Sequence, residues 1–323
     1  MSINTASYSE ISQDLSAAIS WIKMYGVSVH KTRYEKYQQL LDYWSKAYAN
    51  VSESEGNKVF PDFVTAIVEA VSLIRVHKAF QALSKEQTDP LRRRIAKAVN
   101  GPFDTAMEDS NTNSGRNHLF ELVTLAQFHA PSSDLIADLS PAFDAGFKFF
   151  NHQFHIECKR PQSNKGLPKL MKRAINQLGE KLVDVKIYKK ALIAIDASKI
   201  INPKGITYKA NNPQELAEFM SRKVKAFIDK NASKWIETLR NKNNRILAVA
   251  VRFAFPAILT DKKMIIASSQ WGFWPTPCAD QMEIELLLKI IDIARQVNPQ
   301  TNQDDAHLTD RSQHVRHLGC LAR

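Results

Sequence analysis

Glu157 and Lys159 stand two residues apart in the run Phe154-His155-Ile156-Glu157-Cys158-Lys159-Arg160-Pro161. Phe154, Ile156 and Cys158 alternate with His155, Glu157 and Lys159, which is the period of a half-buried β-strand. On such a strand the carboxylate and the ammonium share one face. A carboxylate can grip a metal ion, and a lysine beside it can orient or help deprotonate an attacking water. The bland alternative is an exposed ion pair, worth only about 0–1 kcal/mol.

Further acids stand where such a site would need them. In Phe143-Asp144-Ala145-Gly146-Phe147-Lys148-Phe149-Phe150 the apolar residues fall on one face, and Asp144, Gly146 and Lys148 on the other. Asn151, His152 and Gln153 form a short polar break, so the two runs read as a β-hairpin that returns Asp144 to Glu157. Gly146 shares the Asp144 face and would leave room for a ligand backbone. Upstream, Asn117 to Ala130 carries Leu119, Phe120, Val123, Ala126 and Ala130 at helical spacing, with Glu121 as its one charged residue.

Glu121, Asp144 and Glu157-Cys158-Lys159, in the order helix, hairpin strands, helix, strand, resemble the PD-(D/E)XK nuclease superfamily, the fold of many restriction enzymes and Holliday-junction resolvases. The resemblance covers roughly residues 111 to 275, and Phe143 stands where the name pattern has proline. It implies an α/β (α+β) fold, a restriction-endonuclease-like mixed sheet flanked by helices. It also implies Mg²⁺, for which Mn²⁺ may substitute, held by Asp144, Glu157 and the backbone carbonyl of Cys158. Glu121 would add a ligand directly or through water, and Lys159 would position the nucleophile. Mg²⁺ suits such a set because it prefers oxygen ligands and keeps some of its waters.

The charge distribution points to a polyanionic partner. The first 110 residues hold 13 bases and 13 acids, so the 31 bases and 20 acids that follow carry the whole net charge of +11. The half with the candidate site is therefore the basic one. Between Lys159 and Lys190, ten bases face two acids. The spacing there predicts a helix over 167–183 with Lys169, Lys172, Arg173 and Gln177 mostly off its apolar stripe. With Arg160 these are the candidate phosphate contacts, and Arg173 and Gln177, one turn apart, could reach the site together. A solvated helix face is the competing reading.

Cys158, Cys278 and Cys320 are odd in number and lack metal-ligand spacing, which argues against a disulfide framework and fits a reducing cytoplasm. The polar start shows no signal-peptide pattern, and no apolar stretch reaches the ~18 residues of a membrane span. No glycine loop of phosphate-binding type and no helicase motif is present.

Three segments are expected. Residues 1–110 read as an all-helical domain for regulation or assembly, a possible homo-oligomer or partner-protein contact. It has amphipathic stripes at Ile11–Ile22 and Tyr34–Tyr48, a buried helix over 63–83 started by Pro61 and Asp62, and Arg92-Arg93-Arg94 opening another helix. Residues 111–297 read as the nuclease-like domain. Its remaining elements are strands over 190–197, 245–255 and 263–271, and helices over 213–239 and 282–297. The Trp271, Phe273 and Trp274 cluster reads as core or sheet cap. Residues 298–323 read as a loose polar tail. The leading expectation is a Mg²⁺-dependent deoxyribonuclease, of a kind that would suit restriction or anti-phage defence in a bacterium. The alternatives are an inactive nucleic-acid-binding subunit of a larger complex, and a ribonuclease with the same site.

Overall fold

The structure, a computed structural model, describes residues 7–47, 53–109, 111–140, 142–182, 189–239, 245–262 and 264–297. It is a mixed α/β fold: a seven-stranded sheet with helices on both faces. The polar tail from residue 298 lies outside the described residues. Among the described residues no helix is long and apolar enough to cross a membrane.

Helices α1 (Tyr8–Met24), α2 (Arg33–Ala47), α3 (Glu53–Phe80), α4 (Lys85–Thr88) and α5 (Arg92–Ala98) come first. Ser7 and Glu10 close a reciprocal capping box on α1, which satisfies backbone N–H groups that a helix start otherwise leaves open. Pro61 does not start α3, as its spacing predicts; it sits inside the helix. After α6 (Ser114–Gln127) the sheet begins with β1 (Leu135–Ala137), β2 (Ala145–Phe149) and β3 (His152–Lys159). Then follow α7 (Leu167–Lys181), β4 (Lys189–Asp196), α8 (Ser198–Ile201), β5 (Tyr208–Ala210), α9 (Pro213–Leu239), β6 (Ile246–Leu259), β7 (Met264–Pro275) and α10 (Gln281–Val297). The sheet order is β1-β2-β3-β4-β6-β5, with β7 pairing β6. β3, β4 and β6 run parallel, whereas β1–β2–β3 and β6–β7 are antiparallel.

Side-chain alternation sorts each central strand between two helical layers. From β4, Leu192 and Ala194 join α1, α2, α3, α5, α6 and α10, while Ala191, Ile193 and Ile195 join α7 and α9. Burial on both faces is why Ala191–Ile195 and Ile246–Val251 read as unbroken apolar runs. Each leucine, isoleucine or valine in them contributes roughly 1.5–3 kcal/mol on burial. Trp271 and Phe273 belong to the first cluster, as core residues, and Trp274 packs against the second.

The break expected near residue 110 does not separate two cores. Leu15, Tyr34, Phe63 and Phe80 share one continuous cluster with Phe120, Phe147, Phe154 and Leu192. The join is tight at Gly115, where an added Cβ would overlap the Asn100 carbonyl and crowd the Arg33 guanidinium. Gly115→Ala is expected to destabilise the fold by about 1–3 kcal/mol, the usual cost of overpacking. A lowered urea midpoint at unchanged slope would register it.

Candidate active site

The hairpin does return Asp144 to Glu157. Ala145 opposes Ile156 and Gly146 opposes His155, so one step further puts Asp144 across from Glu157 at the end of β2. Asp144 Oδ2 accepts the Cys158 N–H at 2.9 Å, which pins its carboxylate to the edge of β3. Lys159 Nζ lies 2.9 Å from Glu157 Oε2 and 3.5 Å from Asp144 Oδ2, bridging the two acids. The two carboxyls are near enough for each to bear on the other's titration.

The strand is not half exposed, as its alternation predicts. Glu157 is fully buried, because α7 covers the face that the pattern left open to water. Nor does Gly146 make room for a ligand: a Cβ there would meet the Phe154 carbonyl of the neighbouring strand at 2.9 Å.

Full burial of Glu157 and partial burial of Asp144 shape their titration. Burial and the neighbouring Glu157 charge push Asp144 up to about 6, against the pull of Lys159. Burial also raises Glu157, but Lys159 and Lys181 more than offset it, and its pKa falls below the usual carboxylate range. Two neighbouring acids whose pKa values are driven apart are the expected response to like charges away from bulk water.

Lys181 is the residue that sequence spacing missed. From the last turn of α7 its Nζ donates to Glu157 Oε1 at 2.8 Å. It was legible only as one more base off the apolar stripe. Its ammonium also sits 4.8 Å above the Phe143 ring, which stacks on His155 at 3.7 Å. Phe143, the residue before Asp144, is thus held between Lys181 and His155. Arg173 and Gln177 do not take the place expected for them. Arg173, Lys169 and Lys172 are exposed, Gln177 is half-buried, and α7 delivers Lys181 to the acids instead.

Glu121 approaches from the other helical layer. It is near enough for Asp144 and Cys158 to feel its charge, but Arg94 holds it at 3.6 Å and His118 at 3.1 Å. Direct ligation of a shared cation is therefore not set up, and only the water-mediated role fits. Arg94, from the run that opens α5, is buried and also donates to the carbonyls of Ser140 and Phe143. Arg160 is likewise occupied: its two terminal nitrogens grip Glu108, and its Nε lies 3.6 Å from Asp196. It is not free to meet a phosphate. Cys158 is half-buried and packs against the core, and desolvation pushes its thiol pKa well up, so it is no nucleophile.

No protein-family model, curated protein or solved structure matches this chain.

Among the described residues no group of three or more acids, histidines or cysteines is gathered closely enough to hold a metal ion. The fit to Mg²⁺ is that of a two-carboxylate site. Asp144 and Glu157 are adjacent and crowded, and an ion that keeps several waters can be bound through one or two carboxylates.

Proposed function

We propose that the chain is a metal-dependent nuclease of restriction-endonuclease-like fold that hydrolyses phosphodiester bonds of DNA. The observation that carries the reading is the pairing of half-buried Asp144 with fully buried Glu157, bridged by Lys159. Asp144 and Glu157 would hold Mg²⁺, or Mn²⁺ in its place, with the Cys158 carbonyl and waters. The ion would lower the pKa of a bound water and neutralise charge developing on the phosphate. Lys159 would orient that water. Lys181 would yield its hold on Glu157 to the ion and turn towards the substrate, where its charge favours a phosphate. Further along α7, Lys169, Lys172 and Arg173 lie roughly 12–18 Å from Lys181 at 1.5 Å per residue. Their exposed ammonium and guanidinium groups would meet phosphates along the strand rather than at the scissile bond.

The test is plasmid and linear DNA incubated with the purified chain and Mg²⁺ or Mn²⁺. Lys159→Ala should slow cleavage by about 10²-fold or more, the usual worth of a positioned proton-transfer group. Cleavage that survives this change at full rate sinks the assignment.

One observation favours a second reading, a non-cleaving nucleic-acid-binding relative. Lys159 and Lys181 neutralise Glu157, while Arg94 and His118 hold Glu121, so the cluster is charge-balanced without an ion. DNA binding that falls steeply with salt, with no cutting under any divalent ion, would select it.

A further inference from the structure

Lys181 and Lys159 between them take both oxygens of Glu157. Lys181 Nζ lies 2.8 Å from Oε1, and Lys159 Nζ lies 2.9 Å from Oε2. The Glu157 side chain is fully buried, so bulk water does not compete for either oxygen. A divalent ion such as Mg²⁺ sits about 2.1 Å from each ligand oxygen. An ammonium group on that same oxygen would face the ion at close range, and away from bulk water such repulsion is strong. Ligation through Glu157 therefore requires one of its two lysines to let go.

The two are not equally free to go. Lys159 stands on the same strand as Glu157, its side chain is 10% exposed, and it also faces Asp144 at 3.5 Å. Its departure would strip a cation from both acids. Lys181 has Glu157 as its one carboxylate partner among the described residues, and its side chain is 33% exposed. It stands in the last turn of α7, so its flexible stem can swing towards solvent while the helix stays in place. A second seat is already at hand, since its ammonium lies 4.8 Å from the centre of the Phe143 ring. Of the two lysines, Lys181 is the one built to move.

We propose that Lys181 is a tethered competitor for the divalent ion, an autoinhibitory contact that closes Glu157 Oε1 until an ion expels it. The proposal rests on the reading of Asp144 and Glu157 as metal ligands. It adds what sets their affinity: the Lys181 contact has to break each time an ion binds. A site guarded in this way fills when the ion is plentiful, or when a nearby phosphate gives the freed ammonium a new partner.

Mn²⁺ titration of the full chain, read from the paramagnetic resonance signal of the free ion, tests it. No DNA is present, so the result stands whether or not the pair cuts DNA. Lys181→Met should bind Mn²⁺ about tenfold more tightly than the parent, because no charge-assisted hydrogen bond has to break first. Lys181→Arg keeps a cation at that place and should stay near the parent. Lys172→Met removes a charge from the same helix roughly 13 Å away, beyond the screening length, and should also stay near the parent. In the parent itself, lysine acetylation read by mass spectrometry should find Lys181 several-fold more reactive with saturating Mn²⁺ than with a chelator, and Lys172 unchanged. If the urea midpoint shows that Lys181→Met does not fold, the acetylation of the parent decides. Equal Mn²⁺ affinity in the parent and a folded Lys181→Met overturns the proposal alone. So does an equal gain in Lys172→Met, or Lys181 acetylation unmoved by saturating Mn²⁺. Mn²⁺ binding to neither the parent nor Lys181→Met fails the metal-site reading and the proposal together.

Discussion

Asp144→Asn should abolish metal-dependent cleavage and, in the metal-free protein, raise thermal stability above pH 6. Both effects come from one partly buried charge. As a ligand the carboxylate helps fix the ion that stabilises the transition state, and losing ~4 kcal/mol of that stabilisation costs roughly 10³-fold in rate. In the empty site the same charge is a burden, since burial and Glu157 raise its pKa to about 6. The sign follows from proton linkage. An acid whose folded pKa lies above its unfolded value binds more protons when folded, so it favours folding at low pH. That favour is lost as pH rises from the unfolded value through about 6. Asparagine keeps the acceptor for the Cys158 N–H and removes the charge. The variant's melting temperature should therefore rise above the parent's at pH 7–8 and converge with it near pH 4. Chelated samples scanned across that range give the comparison. A variant that melts lower at pH 8 would mean that Asp144 is held ionised by Lys159, not crowded by Glu157. Glu157 titrates with the opposite sign, because its lowered pKa makes folding favour the charged form.

The largest loss of stability is expected at Glu69, in the α2–α3–α6 packing. This buried acid on α3 is clamped by Arg33 of α2 and Arg116 of α6, whose side chains are 0% and 4% exposed. Burial pushes its pKa up, yet the two guanidinium groups outweigh burial and hold it below the usual range. Glu69→Ala leaves two buried positive charges with no anion. Removing one partner of a buried pair typically costs about 3–5 kcal/mol, more than the intact pair contributes over an apolar replacement. Urea unfolding should show a midpoint well below that of the parent, and Glu69→Gln, which keeps the shape and one acceptor, should fall between them. A Glu69→Ala midpoint within error of the parent would mean that water reaches the clamp. The clamp also bears on the carboxylate pair, since Arg116 lies in the first turn of the helix that carries Glu121.

Local pattern was enough for most elements here. The period of 3.6 in Leu119, Phe120 and Val123, the alternation of Phe154 to Lys159, and the polar break at Asn151 each reflect a rule that acts within a few residues. Short β1 and β5 escaped because three residues carry too little pattern to stand out from loop. The carboxylate pair was readable for the same local reason, since a two-stranded hairpin fixes its own register.

What no local rule can set is which face of an element another will cover. α7 closed over Glu157 and brought Lys181, fourteen residues beyond the end of its own apolar start, to an acid on a strand. Arg160, a candidate phosphate contact by its place after the strand, was turned inward by Glu108, and Arg94 was turned inward by Glu121. An arginine in a sequence is a mobile charge with many partners in reach. Only the packing of distant segments removes water from it, and once water is gone the nearest carboxylate wins.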